Sequence, residues 1–226
     1  MNNGFPQAQG LNGFHSTTVE DFDHTQPLPG RAALIVIDIT KDSLLPPEIS
    51  GIDLIGAPAA VANSRQVIAA ARAVSLPVIF IQERHRRDLV DFGRELDGAE
   101  GVHCLEGEPG AEFLDDLRPL PHEYYVPKRR YSAFFGTDLE ILLKGLKVDT
   151  LILIGFLTDV CVHYTGVDAH QHDYRIRVVR DCVAGSSLAA HKASLNALEY
   201  LQSGAVVSLE TMLDAITALQ SQKVAA

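Results

Sequence analysis

Cys161 lies in the stretch GFLTDVCVHYTGVDAH, where an apolar run hands over to a segment of helical spacing. A thiol in the first turn of a helix meets unpaired backbone N–H groups and the positive end of the helix dipole. Both favour thiolate and lower the thiol pKa, so such a sulfur can attack a carbonyl carbon. Thr158 or Asp159 is placed to cap that helix by accepting a backbone N–H bond. The bland alternative is a small buried filler, the commoner fate of a cysteine beside an apolar strand. Asp38 closes the run AALIVID and is therefore poorly solvated. It either satisfies loop backbone groups or takes the thiol proton and later returns it to a leaving nitrogen, which departs poorly unless protonated. Lys128 follows the run EYYVP within VPKRRYSAFFGTDLE. Basic runs are usually solvated, but a lysine directly after a buried strand faces inward, where its charge stabilises thiolate and a negative substrate oxygen.

These residues need elements to hold them. An unbroken apolar run of strand length ends in a carboxylate at residues 32–38, and further strand-length, mostly apolar runs occur at 77–82, 123–127, 150–155, 175–179 and 205–209. Stretches of helical spacing lie between them, at 57–74, 111–117 (short), 137–146, 159–172, 188–202 and 211–220. Strand and helix thus alternate along the chain, which predicts an α/β fold: three layers, doubly wound, around a six-stranded, mostly parallel sheet. Ligands bind such sheets beyond the carboxyl ends of the strands, where strand order reverses. Asp38, Gln82 and Glu83, Lys128 and Cys161 all fall at or just past strand ends. The irregular stretch 83–110 is too long for a simple connector and is expected to wall the site. Residues 1–28 lack any period and read as an N-terminal arm; residues 29–226 read as one domain.

Composition excludes several classes. The chain has 19 Lys and Arg against 29 Asp and Glu, a formal charge of −10, which repels a phosphate backbone and argues against nucleic acid as a partner. No apolar run approaches the roughly 18 to 20 residues that span a bilayer, and the first residues lack the pattern of a signal peptide, so no membrane partner and a cytoplasmic location are expected. The three cysteines, Cys104, Cys161 and Cys182, form neither a disulfide framework nor a zinc knuckle. Cys104 and Cys182 are read as structural. No glycine-rich phosphate loop follows the first strand, where ITKDSLLPPE stands instead.

The segments AALIVIDITKDSL, KRRYSAFFGTDLE and GFLTDVCV, continuing through VRDCVAG, resemble the isochorismatase-like cysteine hydrolases in this order. That superfamily includes nicotinamidases and N-carbamoylsarcosine, ureidoacrylate, biuret and triuret amidohydrolases. The resemblance covers about residue 29 to the end. It implies the strand order 3-2-1-4-5-6 and a triad of Asp38, Lys128 and Cys161, with the sulfur forming a thioester or carbamoyl-thioester that water hydrolyses. It also implies a non-proline cis peptide at Phe156–Leu157, with the backbone N–H groups of Leu157 and Cys161 aimed at the developing oxyanion, and a homodimer or homotetramer.

Nicotinamidases carry an Asp-x-His pair and a further histidine around a metal, whereas residues 48–58 (EISGIDLIGAP) hold no histidine, which disfavours that activity. His85, His103 and Cys104 lack standard ligand spacing, so no metal and no cofactor are expected. The chain is therefore expected to release ammonia from a small amide or ureide of biuret, triuret or carbamoyl type. Gln82, Glu83, His85, Tyr131 and Phe135 are candidate substrate contacts, with Arg84, Arg87 and Phe134 beside them. Two other readings compete: vinyl-ether hydrolysis, which needs no thiol, and a non-catalytic thiol redox or binding protein on the same fold, which would oxidise Cys161 reversibly without consuming an amide.

Overall fold

The computed structural model describes residues 28–46 and 54–225. Every residue of β1 (Ala32–Ile37) is buried, and the alternation of an extended chain divides them between two cores. Leu34 and Val36 pack with Val61 and Ile68 of α1 (Ala57–Ala73) and with Met212 and Ile216 of α5 (Leu209–Ala225). Ala33, Ile35 and Ile37 pack on the opposite face with Leu139 and Leu143 of α2 (Leu139–Leu146), Val162 of α3 (Cys161–Gln171) and Leu198 of α4 (Leu188–Leu201). A strand covered on both sides has no reason to carry a polar residue until it ends, and β1 carries none.

The remaining strands are β2 (Val78–Glu83), β3 (Tyr124–Lys128), β4 (Thr150–Phe156), β5 (Arg175–Ala184) and β6 (Val206–Val207). They form one sheet of order β3-β2-β1-β4-β5-β6, and each of its ladders is parallel, where a mostly parallel sheet was expected. Lys128 ends β3 rather than following it, and β5 is twice as long as its apolar run because it continues past Arg180 and Asp181 to Ala184, with a bulge against β4 between Leu153 and Gly155.

Two local expectations fail. The spacing at 111–117 does not make a helix: only a 3-10 turn forms at Pro109–Ala111, and Phe113 bridges to Thr40 and packs edge-on to Phe80 at 5.5 Å. Packing against the sheet overrides a weak local period. Helix α3 starts at Cys161, with Val160 as its uncapped N-cap. Thr158 is engaged with His191 at 2.9 Å and Asp159 accepts from Ser186 N at 2.9 Å, so neither caps the helix.

Register fixes what meets at the carboxyl edge. Ile37 pairs with Ile81 on one side and Gly155 on the other, and Glu83 pairs with Lys128. Gly155 has φ +118°, and a Cβ there would lie 1.9 Å from the Ile37 carbonyl oxygen, so this close approach of β4 to β1 admits only glycine. Of the expected N-terminal arm, residues 1–27 lie outside the described residues; Leu28 is buried in the core. No helix among the described residues is long and apolar enough to cross a membrane.

Candidate active site

Asp38 follows β1 in the left-handed region, at φ 51°, a conformation that turns its side chain towards the ends of the neighbouring strands. Its Oδ1 accepts from the Glu83 amide at 2.6 Å, and its Oδ2 lies 3.0 Å from Lys128 Nζ. Lys128 is wholly buried and reaches three groups: Asp38, Glu83 Oε2 at 2.5 Å and Cys161 Sγ at 3.2 Å. The Cys161 thiol donates to Glu83 Oε2 at 3.5 Å. One carboxylate oxygen from Asp38, one from Glu83 and the sulfur all lie within 4.8 Å of one another. Sequence alone groups Asp38, Lys128 and Cys161; the structure adds Glu83, which sequence assigns only to the pocket wall.

The electrostatics depart from expectation. Burial raises the Cys161 pKa, and although Lys128 opposes this, the Asp38 and Glu83 charges add to it, leaving the thiol well above its ordinary range. The positive end of the helix dipole is thus opposed by loss of water and by two carboxylates, all three of which favour the protonated thiol. Burial also raises Asp38, against the pull of Lys128 and with the push of Glu83. Glu83 behaves oppositely. Burial pushes it up, but Lys128, His103 and His85 together hold it well below the carboxylate range. Burial favours a neutral Lys128, yet Asp38, Cys161 and Glu83 keep it charged. Asp38 is therefore the more basic of the two carboxylates beside the sulfur.

Behind Glu83 lies a second buried layer. Its Oε1 lies 2.9 Å from His103 Nε2 and 3.1 Å from His85 Nε2, and the latter is also 3.1 Å from Glu95 Oε2. His85 stacks on Phe92 with ring centroids 3.8 Å apart. Burial disfavours a charged His85, but the bonds to Glu83 and Glu95 raise its pKa to about 9. Burial opposes the charge on His103 too, and Glu83 outweighs it, so that pKa is also raised. The carboxyl groups of Glu83 and Glu95 thus favour the charged form of His85, and Glu83 that of His103. The ligand atoms of Glu83, His85, Glu95 and His103 also lie within 4.8 Å of one another, a donor set suited to a divalent cation in place of those protons. Sequence spacing hides this convergence because Glu95 belongs to no motif.

A cavity of about 60 Å³ opens over the sulfur, lined by Asp38, Thr40, Asp42, Ser43, Leu54, Glu83, Glu100, His103, Cys104, Phe156, Leu157 and Cys161. The Phe156–Leu157 peptide on its wall is cis. Of the expected substrate contacts, only Glu83 lines this cavity. Gln82 points away, donating to the Ala111 carbonyl and accepting from Tyr125 Oη at 2.7 Å. His85 is one layer behind. Tyr131 stacks on Tyr164 at 5.9 Å, and Phe135 is 65% exposed. Arg84 donates to Tyr125 Oη and Arg87 to Glu108, both at the surface. Asp42 and Glu100 escape sequence reasoning. Asp42 is four residues past the catalytic strand end, and nothing in the wall sequence distinguishes Glu100 from its acidic neighbours.

A model of the isochorismatase domain matches residues 32–211. The chain belongs to the isochorismatase domain family. All three motif segments of this isochorismatase-family protein fall within the matched span. It is 29% identical over 204 residues to a ureidoacrylate amidohydrolase of Pantoea ananatis, covering 81% of this chain and 77% of that one. Among solved structures, it is similar to a cysteine hydrolase of Pseudomonas syringae pv. phaseolicola, with TM-score 0.76, 27% identity and coverage of 86% and 95% of the two chains. N-carbamoylsarcosine amidase of Thermoplasma acidophilum gives TM-score 0.68 at 29% identity, covering 80% and 98%.

Proposed function

We propose that this isochorismatase-family protein is a cysteine amidohydrolase that cleaves a C–N bond, other than a peptide bond, in a small amide or ureide. The observation that carries the reading is Lys128 Nζ, held 3.0 Å from Asp38 and 3.2 Å from Cys161 Sγ at the floor of a cavity. Relatives named as amidohydrolases support the reaction class.

Asp38 takes the thiol proton as Sγ attacks the carbonyl carbon. The raised basicity of Asp38 suits it to this transfer, and the low pKa of Glu83 suits that residue to holding Lys128. The amides of Leu157 and Cys161 take the developing oxyanion. Collapse of the tetrahedral adduct breaks the C–N bond, the nitrogen leaves with the proton from Asp38, and an acyl or carbamoyl thioester remains on Cys161. Asp38 then deprotonates the water that attacks this thioester, releasing the acid and restoring the thiol. A small cavity favours a small substrate of biuret, triuret or carbamoyl type.

Ammonia release from a panel of such compounds tests the reading. Cys161→Ala should abolish it while leaving the fold intact, and intact-protein mass spectrometry should trap an adduct on Cys161 in the wild type. Undiminished ammonia release by Cys161→Ala would refute the mechanism, whereas vinyl-ether hydrolysis that survives the substitution, with no ammonia from any amide, would favour the competing chemistry.

A further inference from the structure

The charges around the cavity do not balance. Four carboxyl groups line it, from Asp38, Asp42, Glu83 and Glu100, with His103 the one basic side chain in its wall and Lys128 buried behind it against Cys161 Sγ. Lys128 is already shared by Asp38 at 3.0 Å and Glu83 at 2.5 Å. His103 lies 2.9 Å from Glu83 and 3.7 Å from Glu100. Lys128 is therefore held in the triad layer and His103 is divided between Glu83 and Glu100, while Asp42 lines the same space with no ion pair among the described residues.

Among the described residues, no arginine lines the cavity. Arg84 is bonded to Tyr125, Arg87 to Glu108, Arg129 to Glu106, and Arg130 to the Asp91 carbonyl oxygen. Residues 1–27 and 47–53, outside the described residues, contain neither lysine nor arginine. A substrate carboxylate entering this space would find no uncommitted cation and at least two like charges at close range in a partly desolvated setting, where such repulsion is strong.

We propose that the substrate is a cationic amide, a small molecule bearing an ammonium or similar group beside the scissile carbonyl, with Asp42 and Glu100 pairing that charge. The inference rests on the amidohydrolase reading and narrows it. It sets this site apart from one that takes an anionic ureide such as ureidoacrylate.

Reagents that differ only in charge test this before any substrate is identified. The wild-type protein is modified with 2-aminoethyl, methyl and 2-sulfonatoethyl methanethiosulfonate, and the rate at Cys161 is read by peptide mass spectrometry and divided by the rate at glutathione. The cationic reagent should exceed the anionic one by at least about tenfold, and the ratio should fall about tenfold for each of Asp42→Asn and Glu100→Gln, every variant being normalised to its own neutral-reagent rate. In parallel, ammonia release is scored for glycinamide, propionamide and succinamate, with kcat/KM expected in that order. A wild-type ratio near one, or faster turnover of succinamate than of glycinamide, would overturn the inference and leave the amidohydrolase reading in place. Charge-selective labelling with no ammonia from any amide, including the ureide panel, would overturn the reading itself and the inference with it.

Discussion

The floor and the wall of the site are built by different physics. The floor is assembled by register: Asp38 follows β1, Glu83 and Lys128 are paired residues on β2 and β3, and Cys161 begins the helix after β4, the other neighbour of β1. Its geometry is set by parallel ladders and two apolar cores. The wall, between β2 and β3, has short 3-10 turns at Gly93–Asp97 and Pro109–Ala111 and single bridges from His85 to Leu105 and from Phe113 to Thr40, and besides the buried Phe92, Phe113 and Leu117 it is tied together by charge. Glu83, His85, Glu95 and His103 form its inner cluster. Arg129, 2.6 Å from Glu106 and 3.3 Å from Asp91, ties its outer part to the residues after β3. The floor should therefore resist changes of solvent that the wall feels, and the wall is where pH and salt can act.

The sharpest break of the floor is chemical. Beyond the loss expected for Cys161→Ala, Asp38→Asn should lower kcat about a thousandfold in the ammonia assay while the protein still melts cooperatively, because a base is lost but an acceptor for the Glu83 amide remains. A comparable loss in Glu83→Gln with Asp38→Asn nearly silent would reverse the roles of the two carboxylates. Next in size is Gly155→Ala. With a Cβ 1.9 Å from the Ile37 oxygen and φ at +118°, it should cost about 3 kcal/mol or more in urea unfolding.

The wall answers to pH. His85 has a folded pKa of about 9, above the unfolded 6.5, so its stabilisation is fully present below pH 6.5 and is lost as pH rises through 9. The loss should be on the order of 2 to 3 kcal/mol across that window. Glu95→Gln should lower the His85 pKa measured by NMR and flatten the slope; a slope unchanged in the variant would place the titration elsewhere. The thiol gives the matching test for the floor. Because its pKa lies above the ordinary thiol range, iodoacetamide labelling of Cys161 in the absence of substrate should be slow at pH 7 and climb through the alkaline range, and rapid labelling at pH 6 would disprove a protonated resting sulfur. The smallest effect belongs to the exposed rim, where Arg87→Ala removes a surface pair with Glu108 at 2.6 Å and should change stability by less than about 1 kcal/mol, vanishing in 1 M salt.

The same division explains what the sequence discloses. Floor residues are legible because a strand buried on both faces is a continuous apolar run, and the first polar residue after it marks the carboxyl edge. Asp38 is found this way; Lys128 is not, because β3 is an edge strand with Tyr124, Tyr125 and Pro127 exposed, and its lysine is legible only from the motif around it. Gln82 and Glu83 show where that signal stops. Both are polar at the end of β2, and period-two alternation sends one towards the cavity and the other towards Tyr125 and Ala111; the choice depends on register with β1, which a linear string does not carry. The wall has no period, so the convergence of His85, Glu95 and His103 and the inward placement of Glu100 are not readable from spacing. The thiol pKa escapes a sequence argument because the dipole effect is local, while the burial and carboxylates that outweigh it come from strands distant in the chain.

Strand β4 lies beside β1 although more than a hundred residues separate Ala32 from Thr150, which are paired in the sheet. During synthesis, a nascent chain that has emerged only as far as residue 149 already carries Asp38 and Lys128 but not yet Cys161. One side of its first strand still awaits a partner. Reactivity is thus withheld until β4 and the start of the helix that follows it have been made and inserted, so products that stop short of them are chemically inert at this centre.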